Sequence, residues 1–212
     1  MKRVSRRGLA LSLSLSLTAG YVDAIGFIET GGLFVSFMSG NSTQAGVDLW
    51  NGGASAAALP ILLVASFVVG VAAGGVVVGA QARRRGWVVA GAAAAVLACA
   101  IAGTLAPSIP WRFALLAAAM GALNTLFLAD GRARVAITYA TGTLVSLGLA
   151  LADLVTGRSR TSWRRPLLLW GALTAGAAVG AAAHRWFPLV ALPAAAAGLG
   201  ALAIVIALES RR

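Results

Sequence analysis

Two groups of polar residues interrupt an otherwise apolar chain, one in each half. The first group is Asp23, Ser39, Gly40, Asn41 and Thr43, and the second is Asn124, Thr141, Gly142 and Thr143. An ionisable residue inside a membrane span costs about 2.5–3.5 kcal/mol on insertion scales, so an acid in that position is a candidate functional group. Glycine permits a helix to unwind, and hydroxyl and amide groups can then bind a solute beside the freed backbone. We therefore predict that these residues form a substrate-binding site.

Each of these residue types also has a purely structural interpretation. Ser, Thr and Gly are common wherever membrane helices pack closely, and Asn41 has the residue type of a helix cap. Asp23 could reach water at the membrane surface instead of serving a site. Glu29 and Asp48 are expected outside as solvated charges, and His184 is expected at the membrane interface.

The composition is that of an integral membrane protein. Hydrophobic residues make up 59% of the 212 residues and charged residues only 11%, against about 25% charged in soluble domains. The net charge of +11 comes from short basic clusters between apolar runs, which is the positive-inside pattern and does not indicate nucleic-acid binding. The single cysteine, Cys99, excludes an internal disulfide. Without a paired-carboxylate or His/Cys cluster, we expect no metal, no cofactor and no catalysis.

Apolar runs divide the chain into spans. A span needs about 20 mostly apolar residues, and six stretches qualify: 8–28, 54–80, 87–105, 111–129, 166–184 and 189–208. Segments 31–48 and 135–153 are shorter or interrupted by polar residues, and the apolar pattern leaves open whether they cross or re-enter. With six crossings, only Arg112 and Arg185 among the basic residues lie outside, whereas eight would place several arginine clusters there. The positive-inside rule therefore predicts an all-α protein with six transmembrane helices, two re-entrant segments and both termini in the cytoplasm.

The two halves of the chain share a polar pattern. Gly20-Tyr-Val-Asp23 corresponds to Gly121-Ala-Leu-Asn124, and Ser36-x-x-Ser39-Gly40 corresponds to Thr138-x-x-Thr141-Gly142. Such self-similarity indicates a duplication. We predict a first repeat at residues 1–105 with re-entrant segment 31–48, and a second at 106–212 with re-entrant segment 135–153. Since each repeat has three spans, the second copy must be inverted.

These same motifs resemble one family. The stretches Gly20-Tyr-Val-Asp23-Ala, Phe34-Val-Ser-Phe-Met-Ser-Gly40-Asn41-Ser-Thr43, Gly121-Ala-Leu-Asn124 and Thr138-Tyr-Ala-Thr141-Gly142-Thr143-Leu144 are similar to those of the YoaK-like family of bacterial inner-membrane proteins. The family, a domain of unknown function, more often has Thr-Gly-Asn-Thr where this chain has Ser-Gly-Asn-Ser. The resemblance covers nearly the whole chain and implies a bacterial plasma membrane and six spans, but no substrate.

Two functions are consistent with this pattern. The first is a small secondary transporter or permease, with Asp23 as a cation- or proton-sensitive group, Asn124 as its counterpart and alternating access between the repeats. The second is a non-transporting scaffold or partner subunit, in which the small residues serve only helix packing. The expected partners are the lipid bilayer and a small solute or ion, with no nucleic acid. A homodimer is compatible with either function.

Overall fold

The computed structural model describes residues 6–79, 81, 84–106, 110–129, 132–133 and 140–210. These residues form seven α-helices: α1 (Arg6–Thr30), α2 (Met38–Val78), α3 (Arg85–Leu105), α4 (Arg112–Leu123), α5 (Ala140–Val155), α6 (Arg164–Trp186) and α7 (Pro188–Glu209). A 3-10 turn, Asn124–Phe127, extends α4, and the short strands β1 (Leu128–Ala129) and β2 (Arg132–Ala133) pair antiparallel.

Five of the helices in the described part of the chain are long and apolar enough to cross a membrane. They are α1 from Arg7 onward, α2, α3, α6 and α7. The prediction of an α-helical, multi-span membrane protein is therefore confirmed. The predicted span 111–129 is an α-helix only as far as Leu123. There the Asn124 side chain donates to the carbonyl of Met120 at 2.8 Å, and the helix tightens into the 3-10 turn. A continuous apolar run cannot reveal such a change of winding.

The first predicted re-entrant segment, 31–48, leaves the helical conformation only between residues 31 and 37. The hydroxyl-rich stretch that follows is helical, and its hydroxyls are satisfied within the helix: Ser42 donates to the Met38 carbonyl at 2.9 Å and Thr43 to the Ser39 carbonyl at 3.1 Å. Polar side chains that bond one turn back do not unwind a helix. The break in the chain therefore lies before this stretch and not in it.

Helix α2 has two arms. Gly53 adopts φ 74° and ψ −169°, a conformation that favours glycine, and it separates a short arm (38–52) from a long arm (54–78). The short arm is exposed along most of its length, whereas the long arm packs against α4. The second predicted re-entrant segment, 135–153, is described only from Ala140, where α5 begins. Residues 134–139, and Thr138 with them, lie outside the described residues.

Small residues bring α1 and α6 into direct backbone contact. A Cβ atom at Gly20 would overlap the carbonyl oxygen of Leu173, and a Cβ atom at Gly176 would overlap that of Leu17. Lipid tails are as apolar as the helices, so membrane helices associate through close packing of this kind. The α1–α6 interface therefore depends on glycine on both sides.

The interface between α4 and the long arm of α2 is built in the same way. A Cβ atom at Gly121 would overlap the carbonyl oxygen of Phe67, and a Cβ atom at Gly70 would overlap that of Ala118. Both interfaces follow the same rule. Each glycine faces a backbone carbonyl of the other helix, and that carbonyl belongs to the residue three positions before the other helix's own glycine.

The helices form two groups. Helices α1 and α6 make up the α1 bundle, and α2, α3, α4 and α7 make up the α4 bundle, in which α7 packs mainly against α3. The bundles meet where α7 contacts α1 and α6 and where α1 contacts α4. The core contains fully buried side chains from both bundles, among them Ile25, Leu63, Val96, Leu116 and Leu199. Each bundle combines helices from both halves of the chain.

Candidate functional site

The chain reverses direction directly after α1. Gly31 and Gly32 adopt φ values of 75° and 129°, which residues with a side chain rarely adopt. The hydroxyl of Thr30 accepts the backbone N–H of Leu33 at 2.9 Å and donates to the last turn of α1. These residues send the chain back along α1 as an irregular stretch, here called the returning segment (residues 31–37).

The carboxylate of Asp23 holds the returning segment against α1. Its Oδ1 accepts the backbone N–H groups of Val35 at 2.8 Å and Ser36 at 2.7 Å, and its Oδ2 accepts the Ser36 hydroxyl at 2.5 Å. Asp23 precedes the end of α1 at Thr30 by seven residues, or roughly 10 Å of helix rise. The returning segment therefore reaches about 10 Å back along the first span.

Asn41 holds the same segment from the other side. Its side-chain amide donates to the carbonyl of Phe34 at 2.6 Å, while its side-chain oxygen accepts the Phe34 N–H at 2.9 Å. Asn41 is fully buried. An unpaired backbone group in an apolar environment costs several kcal/mol, and this pair of bonds satisfies both groups of Phe34 as a neighbouring strand would.

Aromatic packing closes the returning segment. The ring of Phe34 lies 4.8 Å from that of Phe27 and 5.3 Å from that of Phe37, measured between centroids. A Cβ atom at Gly40 would lie 2.6 Å from the Phe37 ring, so only glycine lets this ring pack against the short arm. The segment is thus fixed by hydrogen bonds and by shape.

The structure gathers part of the predicted site. Asp23, Gly40 and Asn41 surround the returning segment. Ser39 and Thr43 are exposed on the short arm of α2. The sequence therefore located the two side chains that hold the irregular backbone, together with the glycine that packs beside them.

The second-half residues lie elsewhere. Asn124 is buried where α4 ends, and its side chain bonds to Met120 in its own helix. Thr141, Gly142 and Thr143 lie in the first turn of α5, which packs against α6. These second-half residues are therefore not part of the returning segment.

A buried charge cluster, which sequence reasoning missed, joins the ends of three helices. Arg112 Nη2 lies 2.7 Å from Glu29 Oε2, and His184 Nδ1 lies 3.5 Å from Glu29 Oε1. The side chains of Arg112 and Glu29 are only 9% and 16% exposed, so Glu29 is not the solvated surface charge that its position in the sequence suggests. The available signal was weak: charges of opposite sign stand at the same predicted end of different spans.

A cavity of about 240 Å³ opens beside this cluster. Glu29 and Arg112 form its charged side, and the remaining lining comes from α3 and from the start of α7. The cavity lies where the α1 bundle meets the α4 bundle, since Glu29 belongs to α1 and the rest of the lining to α3, α4 and α7.

Five membrane-length helices and a clamped irregular segment define a multi-span α-helical membrane protein. The chain belongs to the family described as "Protein of unknown function (DUF1275)", whose model matches residues 11–206. It is also similar to the UPF0700 transmembrane protein RA0705 of Rhizobium meliloti (strain 1021), with 38% identity over 197 residues that cover 90% of this chain and 85% of the relative. No solved structure matches the chain. The resemblance to an uncharacterised membrane family is thereby confirmed.

Proposed function

We propose that this protein is a small secondary transporter or permease that moves a small solute or ion across the bacterial plasma membrane. The observation that carries the proposal is the returning segment, in which irregular backbone is held about 10 Å along the first span by Asp23 and Asn41. At membrane depth such backbone is tolerated only where it is buried in protein or lines a watery cavity. Broken segments of this kind are the best sequence pointer to a transport site.

The glycine-packed interfaces support an inverted duplication. The α1–α6 contact and the α4–α2 contact have the same arrangement of glycine against carbonyl, and α1 corresponds to α4 in the proposed repeats 1–105 and 106–212. The corresponding residues are Leu17 and Ala118, Gly20 and Gly121, Phe67 and Leu173, and Gly70 and Gly176. In this proposal α4 and its 3-10 turn complete the sixth crossing, and both termini are cytoplasmic.

Alternating access would then be a rocking of the α1 bundle against the α4 bundle. Asp23 is the cation- or proton-sensitive group in this proposal, with Asn124 as its counterpart in the second repeat. A cation on the carboxylate would compete with the donors of Val35 and Ser36, and would loosen the returning segment. The residues proposed to contact the solute lie in two places in this conformation: Ser39, Gly40, Asn41 and Thr43 on the short arm of α2, and Thr141, Gly142 and Thr143 in the first turn of α5.

One observation favours a second function, that of a scaffold or partner subunit. The Asp23 carboxylate already accepts three hydrogen bonds from the returning segment. A carboxylate used in this way can serve as a structural clamp without any ligand. Under this alternative the returning segment and the glycine interfaces only shape a surface for another membrane protein.

Uptake into proteoliposomes distinguishes the two functions. The purified chain is reconstituted and tested with radiolabelled amino acids, carboxylates, amines and inorganic cations, alongside the variant Asp23→Asn. The matched control is Asp48→Asn, because Asp48 lies on the short arm of α2 and accepts a hydrogen bond from Gln44 of the same arm, away from the returning segment.

We expect flux that Asp23→Asn abolishes and Asp48→Asn preserves. Flux that persists in Asp23→Asn removes the role assigned to this carboxylate. A different result would support the scaffold. In that case no solute moves, and Asp23→Asn disrupts a complex that chemical cross-linking detects in native membranes.

A further inference from the structure

The Glu29–Arg112 ion pair connects the two bundles at one end of the molecule. Glu29 is at the end of α1, in the α1 bundle, and Arg112 is at the start of α4, in the α4 bundle. His184 approaches Glu29 from the end of α6. A buried ion pair is stabilising only when its remaining donors and acceptors are also satisfied.

That condition is not met among the described residues. Arg112 Nε, Glu29 Oε2 and His184 Nδ1 are buried and have no hydrogen-bond partner there. The 2.7 Å approach of Arg112 to Glu29 is therefore a charge contact without hydrogen-bond geometry. A buried polar atom without a partner is costly, and in a native protein such an atom calls for water, an ion or a ligand to satisfy it. These three atoms belong to a cluster that borders the cavity.

The cavity is lined by charged and by apolar side chains. Its volume of about 240 Å³ is below the ~300–1,000 Å³ of pockets that hold drug-sized ligands, so it suits a small organic molecule. Apart from Glu29, Arg112, Gly103 and Thr104, its lining is an apolar wall formed by Ala100, Pro188, Leu189, Leu192 and Pro193.

We propose that this cavity binds a small zwitterion with a short apolar body, such as an aliphatic α-amino acid. Its carboxylate binds Arg112, its ammonium group binds Glu29, and its side chain contacts the apolar wall. The guanidinium has five N–H donors and one carboxylate engages at most two, so Arg112 can hold the ligand while it remains near Glu29.

The charge balance of the site selects this ligand class. One positive and one negative side chain line the cavity, so a ligand with one charge of each sign matches both. The charges of Glu29 and Arg112 already balance each other, so a simple anion or cation would add an unbalanced charge to a buried site, which is unfavourable. Binding at this cavity does not require transport, so the inference extends beyond the proposed function.

Isothermal titration calorimetry on the full chain in nanodiscs tests the inference. The three probes share an isobutyl group: L-leucine carries both charges, isovalerate only the carboxylate and isopentylamine only the ammonium group. We expect L-leucine to bind and each single-charge probe to bind about tenfold more weakly or not at all.

Variants on α3 identify the cavity without disturbing the ion pair. Ala100→Leu fills the cavity and is expected to weaken L-leucine binding about tenfold or more, whereas Ala98→Leu, the same change at an exposed position of α3, leaves binding intact. Equal binding of isovalerate, binding that Ala100→Leu does not change, or no binding of any probe would each overturn the zwitterion site. L-leucine binding without L-leucine flux in proteoliposomes would retain this site and remove L-leucine as the transported solute.

Discussion

Ser36 donates two hydrogen bonds to Asp23, one from its backbone N–H to Oδ1 at 2.7 Å and one from its hydroxyl to Oδ2 at 2.5 Å. The two residues lie on opposite sides of the chain reversal after α1, so their contact fixes the returning segment on the helix. Substitutions that remove this contact, or the others around it, should change the stability of the folded protein by a measurable amount.

Ser36→Ala should lower the stability of the folded protein. It removes a hydrogen bond to a charged acceptor, which contributes about 1.5–3 kcal/mol. Thermal unfolding can be followed with a fluorogenic maleimide, because Cys99 is the single cysteine of the chain and is fully buried in the fold. Ser42→Ala is the control, since Ser42 is exposed and bonds only to its own helix. Equal melting temperatures for Ser36→Ala and the wild type would contradict the clamp.

Asn41→Ala should be more damaging, because the backbone N–H and carbonyl of Phe34 both lose their partner. With about 1–3 kcal/mol for each unsatisfied group, the expected loss is roughly 2–6 kcal/mol. The same maleimide assay measures it. Asn51→Ala provides a matched control, since Asn51 is exposed on the same arm of α2. A loss no larger than that of the control would show that Phe34 finds other partners.

Alanine at Gly20 and at Gly121 should destabilise the protein to a similar extent, by about 1–3 kcal/mol each, because the added methyl group overlaps a carbonyl of the facing helix. Gly75→Ala and Gly171→Ala, on the two facing helices, meet open space and should be neutral or slightly stabilising. Maleimide-detected melting temperatures compare all four variants. Tolerance at only one of the two interface glycines would argue against equivalent interfaces.

Sidedness of labelling tests the proposed topology. In a Cys99→Ala background, Asn51→Cys and Gln81→Cys are treated with a membrane-impermeant maleimide in intact cells and in inverted vesicles. Re-entry of the first segment predicts that residue 51 reacts from outside and residue 81 from the cytoplasmic side. The opposite pattern would mean that segment 31–48 crosses the membrane, and the inverted repeats would then be abandoned in favour of the scaffold.

Much of the fold is predictable from local sequence. Apolar runs long enough to cross lipid are visible without knowledge of their neighbours, and each of the five membrane-length helices overlaps a predicted span. Helix α2 differs from the prediction, because it begins at Met38 and includes part of the predicted re-entrant segment 31–48. Asp23 and Asn41 are conspicuous because polar side chains are costly at that depth, and both hold the returning segment.

Local winding was less predictable. The irregular backbone lies at residues 31–37, where Gly31 and Gly32 adopt positive φ values, and not in the hydroxyl-rich stretch that follows. Ser42 and Thr43 satisfy their hydroxyls within the helix, so their presence does not indicate a break. The early end of α4 at Leu123 was hidden for a related reason, since apolar residues suit an α-helix and a 3-10 turn equally.

The sequence by itself determined that this is a multi-span membrane protein, and it identified the polar residues that hold the break in the first half. Only the tertiary structure decided which helices meet. Glu29, Arg112 and His184 each look like ordinary interfacial charges in the sequence. They form a buried cluster because the ends of α1 and α6 lie beside the start of α4. In lipid, hydrophobicity does not choose between helix partners, so close packing of particular surfaces makes that choice. Such surfaces are a property of the folded chain and not of any one span.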